Sequence, residues 1–113
     1  MDKLERLEKL LLYKVFDNYV ASHNYNGLSS YNINIECLEE DLVNAIINLI
    51  NNNKIILTAS KYDENPHIIR FGSVSKEKQI KYLIENKLSC EFCLYPSISY
   101  LSQKIEEEPL FPF

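Results

Sequence analysis

At 113 residues and 13.3 kDa the chain has the length of one domain around one core, too short to hold a cofactor domain beside a substrate domain. Its 46% apolar and 25% charged residues match a folding globular chain, while 12 Lys and Arg against 16 Asp and Glu, net −4, offer no overall pull on nucleic acid or an anionic membrane. Gly27 and Gly72 are the only glycines, which argues against a Gly-rich phosphate loop and against an all-β fold built on tight turns.

Over residues 2–22, Leu4, Leu7, Leu11 and Val15, with Leu12, Phe16 and Tyr19 one row over, recur at helical spacing between Lys3, Glu5, Arg6, Glu8 and Lys9. They predict a long amphipathic helix, with Tyr13, Phe16 and Tyr19 as an aromatic part of its core stripe. Residues 22–34, SHNYNGLSSYNIN, are rich in Asn and Ser around Gly27 and read as a loop or one short helical turn. Over residues 36–52, Leu38, Leu42, Ala45, Ile46, Leu49 and Ile50 share one face and predict a helix of about four turns. Glu36, Glu39, Glu40 and Asp41 complement the positive end of its dipole, and Asn51, Asn52 and Asn53 tolerate the left-handed conformation that stops a helix.

The period then changes. Residues 54–60, KIILTAS, and 67–71, HIIRF, flank a polar break and predict an antiparallel β-hairpin. Residues 75–87 return to helical spacing, with Ile80, Leu83, Ile84 and Leu88 on one side and Lys76, Lys78, Lys81 and Lys87 outward. CEFCLY, residues 90–95, is strand-like, and Pro96 opens a last helix over 97–107 whose apolar side is Ile98, Leu101 and Ile105.

A helix, a loop and a helix running into a hairpin with a polar tip resemble a winged-helix domain, a variant of the helix-turn-helix. The resemblance rests on residues 11–71, and within them on LVNAIINLINNNKIIL from Leu42 to Leu57; residues 26–31 are what is left for the second helix of that fold. The expected fold class is α+β: a mainly helical, winged-helix-like domain with a small antiparallel β-hairpin or three-stranded sheet. Residues 1–113 are read as a single domain, with the winged-helix-like core over about 4–72 and a helical extension over about 75–107. The resemblance implies that residues 36–52 form the recognition helix, whose N-terminal residues meet base edges in the major groove. Here those residues are carboxylates, which DNA phosphates repel.

The net charge is unevenly spread. Residues 1–50 carry 4 positive and 8 negative charges, whereas residues 54–87 carry 7 positive and 4 negative. The first functional reading is a non-catalytic protein-interaction or dimerisation module, alone or as part of a larger protein, whose partner is another protein or a second copy. Its contact residues are Glu39, Glu40, Asn44 and Asn48 on the acidic helix and Phe111 and Phe113 in the PLFPF tail. The alternative is a nucleic-acid-binding protein of the transcriptional-regulator type, touching DNA phosphates through Lys61, Arg70, Lys76, Lys78 and Lys81 on the wing and the following helix.

Cys90 and Cys93 form a C-x-x-C pair, a weak zinc candidate, because Cys37, His23 and His67 are the other ligands to hand and none has a second-pair spacing. A redox C-x-x-C opens a helix, and this one lies in strand-like sequence. Burial as small hydrophobes is the expectation, with no metal and no cofactor. Glu39, Glu40 and Asp41 are adjacent on an outward helix face, not sunk in an apolar pocket, and no motif carries a catalytic mechanism, so no enzyme is expected. An odd number of cysteines, no basic-then-apolar leader and no apolar run near the roughly 20 residues of a bilayer span point to a reduced, cytoplasmic protein without a membrane partner.

Overall fold

Helical and extended segments alternate along the chain as the changes of hydrophobic period require. A computed structural model describes residues 2–21, 27–59 and 75–107. They form α1 (Lys3–Ala21), β1 (Leu28–Ser29), a 3-10 turn (Ser30–Asn32), α2 (Glu39–Asn51), β2 (Ile55–Thr58), α3 (Lys76–Asn86), β3 (Cys93–Pro96) and α4 (Ile98–Glu107). The described chain is therefore α+β and mostly helical, with four helices and a three-stranded antiparallel sheet.

α1 buries Leu7, Leu11, Val15 and Tyr19, one side chain per turn. At 100° per residue Tyr13 stands about 200° around the helix from Leu11, and it is 63% exposed. The expected aromatic stripe thus holds for Tyr19, in part for half-buried Phe16, and not for Tyr13. α2 starts at Glu39 rather than Glu36, after an extended Leu38 that makes no side-chain cap, and its first turn is acidic as expected. Its end uses the asparagines. Asn53 adopts φ 59°, its N–H bonds the Ile50 carbonyl, and the Lys54 N–H reaches back to the Leu49 carbonyl, the paired hydrogen bonds of a Schellman stop.

The strand order is β1–β3–β2. Leu28 and Ser29 pair with Leu94 and Cys93, and Ile55 to Thr58 pair in sequence with Pro96 to Cys93. The second strand of the expected hairpin, residues 67–71, lies outside the described residues; among those described, β2 pairs with β3. β3 lies in the segment read as strand-like, residues 90–95, and is the middle strand among those described. Pro96 fits there because β1 reaches only Leu94, so no neighbour on that side needs an N–H from residue 96. On its free side β2 is covered by α3: Gln79, 4% exposed, accepts the Leu57 N–H at 2.9 Å.

Leu11, Ile46, Leu57, Leu83 and Leu94 are enclosed in the core and come in turn from α1, α2, β2, α3 and β3, so every one of these elements has a side chain in the same apolar cluster. Gly27 is required by a close approach: a Cβ there would stand 2.7 Å from Tyr95 Cε2, and the Tyr95 ring meets the Tyr19 ring edge-on at 6.4 Å. α4 is fastened at its start. The Ser97 hydroxyl donates to the Asn53 carbonyl and accepts the Tyr100 N–H at 3.0 Å, and the Ser97 N–H bonds the Lys54 carbonyl at 2.9 Å. This anchorage turns Tyr100 inward, at 8% exposure, and leaves Ile98 45% exposed, while Leu101 of the expected apolar side is half-buried.

Candidate interaction site

The back of α1, away from Leu7 and Leu11, carries Lys9, Leu12, Tyr13 and Phe16 toward α4. α4 answers with Tyr100, Gln103 and Lys104, and the two helices enclose a groove of about 440 Å³. Its floor is aromatic: the Phe16 and Tyr100 rings meet edge to face at 5.8 Å and 86°. Two cations stand over the Tyr100 ring, Lys54 Nζ at 5.6 Å and Lys104 Nζ at 5.7 Å from its centroid. Lys54 also donates to Gln103 Oε1 at 3.4 Å, which ties the start of β2 to α4.

Tyr13 is a ridge. On its other side Lys14, Asp17, Asn18 and Leu28 border a second hollow of about 430 Å³. At the far end of the groove Lys9 and Leu12 continue into a smaller hollow of about 180 Å³, where Glu5 and Glu8 supply the carboxylates. Leu10, 45% exposed, lies one helical turn before Tyr13 and prolongs the apolar ridge.

The acidic helix residues have a divided fate. Glu40 and Asn44 are exposed, but Glu39 Oε1 accepts the Leu88 N–H at 3.3 Å and Asn48 Nδ2 donates to Glu8 Oε2 at 3.3 Å. Asp41 pairs with Lys3 at 3.4 Å. Of the basic set, Lys76, Lys78 and Lys81 are exposed on α3; Lys76 donates to the Asn51 carbonyl at 3.1 Å, and Lys81 stands 3.9 Å from Glu85. Lys61, Arg70, Phe111 and Phe113, with His23 and His67, lie outside the described residues.

Cys37, Cys90 and Cys93 are free thiols, each half-buried. Burial, and then Glu91, push the Cys93 thiol up; burial, and then Asp41, do the same for Cys37. Cys90 Sγ contacts Asn86 Oδ1 at 3.8 Å. Among the described residues no three His, Cys, Asp or Glu side chains converge as metal ligands would.

The aromatic groove escapes a reading by sequence because its walls are separated by some 85 residues. The available signal was the Leu12–Phe16 row, which lies one residue off the main stripe, together with a tyrosine in the last helix. No helix among the described residues is long and apolar enough to cross a membrane. Comparison with known proteins finds no matching family model, no matching curated protein and no matching solved structure.

Proposed function

We propose that this chain is a non-catalytic protein-interaction module of winged-helix-like layout, acting in the reducing cytoplasm, and that its partner docks on the α1–α4 face. The observation that carries the reading is Tyr13, a large aromatic side chain 63% exposed between two hollows and beside the Phe16–Tyr100 pair. A rigid aromatic with an apolar body beside a concave surface is the kind of side chain that anchors interfaces. Glu40 and Asn44 remain available on α2 as secondary contacts. The layout is supported by a helix that runs into β2 and by the antiparallel order β1–β3–β2; α3 between β2 and β3 is a departure from a simple wing.

The second reading, phosphate contact by the basic segment, draws on the exposure of Lys76, Lys78 and Lys81 on a single helix. Glu77 and Glu85 on that helix weaken its field. A photoreactive phenylalanine analogue placed at Tyr13 and, separately, at Lys78 separates the two. The protein-docking reading expects protein adducts from position 13 in the cell. Nucleic-acid adducts from position 78, with no protein adduct from position 13, overturn it.

A further inference from the structure

We infer that the partner is a second copy of this chain, held through the outward stripe Arg6, Leu10, Tyr13 and Asp17 of α1 against the same stripe running antiparallel; this rests on the Tyr13 anchor proposed above and names its partner. The four residues follow one another at steps of four, three and four, the alternation of a two-helix seam. At 100° per residue they lie within about 60° of one another, some 130° around the helix from Leu11. All four are exposed, Leu10 to 45% and Tyr13 to 63%. α1 therefore has one apolar side that its own fold buries and a second that its own fold leaves uncovered.

Charge decides what covers the second side. In an antiparallel pair with a two-fold axis between Leu11 and Leu12, Arg6 of each copy faces Asp17 of the other, around a centre in which Leu10 of each copy packs on Tyr13 of the other. Within one copy the ion pair cannot form, since eleven helical steps of 1.5 Å put Arg6 and Asp17 about 16 Å apart along α1. Among the described residues neither makes another ion pair. The remaining cations fit the same axis. Lys9 and Lys14 stand about 70° to either side of the midline of the stripe, and the two-fold returns each flank to itself, so Lys9 of one copy does not meet Lys14 of the other. Lys3 is held by Asp41 at 3.4 Å. A parallel pair is disfavoured by the same residues, because it sets Arg6 on Arg6 and Asp17 on Asp17. One pair of helices covers less than the roughly 800 Å² a side of a standard interface, so association is reversible and in the micromolar range.

Sedimentation equilibrium of the full chain at low ionic strength, over about 5–500 µM, is expected to show a monomer–dimer equilibrium. Arg6→Asp alone, or Asp17→Arg alone, should weaken it at least about tenfold, because each sets like charges together at both ends of the seam. The double variant, and an equimolar mixture of the two single variants, should regain it. Both swaps fall on exposed side chains and complement the dipole of α1, an acid toward its start and a base toward its end, so the helix itself is not weakened. A chain that stays monomeric across the range, single swaps that leave the dimer unchanged, or losses that the double variant does not recover overturn the inference. The photoreactive phenylalanine analogue at Tyr13 then separates it from the broader reading. Adducts with another protein leave the docking face standing without a second copy on it, and absence of protein adducts removes both.

Discussion

Replacing Tyr100 by Leu asks whether aromatic contact, rather than apolar bulk, holds α4 against α1. Tyr100 is 8% exposed, and Leu keeps most of that buried apolar surface. The substitution removes the edge-to-face contact with Phe16 at 5.8 Å, worth about 0.5–1.5 kcal/mol beyond area. It also removes the Lys54 and Lys104 contacts over the ring, worth about 0.5 kcal/mol each where the ammonium groups keep some water. The expected loss is about 1.5–2.5 kcal/mol, read as a lower urea midpoint at unchanged slope and a melting temperature lower by roughly 6–10 °C for a chain of this size. A double-mutant cycle with Phe16→Leu isolates the ring pair: the two single losses should exceed the double loss by about 0.5–1.5 kcal/mol. A coupling below about 0.3 kcal/mol would show that Phe16 and Tyr100 merely fill space, and the account of the groove floor would fall.

Two further predictions concern the sheet. Gln79→Leu leaves the Leu57 N–H without its side-chain acceptor under α3, and should cost about 1–3 kcal/mol in urea denaturation while speeding hydrogen exchange at Leu57. A loss under about 0.5 kcal/mol with unchanged exchange would mean that water or a shifted backbone takes over the bond. Burial and Glu91 raise the Cys93 thiol, and burial and Asp41 raise Cys37. A raised thiol favours the protonated folded form, so its contribution is complete below the free-thiol pKa and is lost as pH climbs from there through the folded pKa. Alkylation of Cys93 should keep accelerating at pH values where an unhindered thiol, with a pKa of about 8.5, has levelled off, and the urea midpoint should fall over the same interval; a plateau at or below that value refutes the assignment.

The helices were legible in extent because their ends are recognisable, and α1 and α2 also in face, whereas α3 buries Gln79, Tyr82 and Leu83 and leaves Ile84 of the expected apolar side 57% exposed. Leu7, Leu11 and Val15 mark α1, the asparagines stop α2, and the Ser75 hydroxyl accepts the Lys78 N–H to open α3, all within a few residues of expectation. β1 was not legible, since two residues cannot display alternation. Nor was the partner of β2: the polar break after KIILTAS suggested the next apolar run, while the described pairing is to CEFCLY beyond α3, a choice made by packing over a long separation. For α4 the spacing of Ile98, Leu101 and Ile105 named a face, but Ser97 fixes the rotation of the helix through Asn53 and Tyr100, and no periodicity reports that. The candidate site followed the same rule. The polar face of α2 could be read, its partners could not, and a groove made by Leu12, Phe16 and Tyr100 becomes visible only when α1 and α4 are side by side.

How α2 is seated is the reason the proposed docking face is placed on α1. On one flank Asp41 meets Lys3 and Asn48 meets Glu8 of α1; on the other, Glu39 takes the Leu88 N–H after α3, and Lys76 of α3 donates to the Asn51 carbonyl at the negative end of the α2 dipole. Three polar groups that a reading helix would turn toward a ligand, Glu39, Asp41 and Asn48, are here engaged in holding three helices together, while Glu40 and Asn44 stay exposed, and six of the thirteen residues of α2 are buried. A ligand that used Asn48 or Glu39 would have to break internal contacts before making new ones. α1 has no such conflict. Leu7, Leu11 and Val15 face the core, Leu10 and Tyr13 face solvent, and Phe16 lies between them, so one helix carries stability on one side and an open apolar ridge on the other.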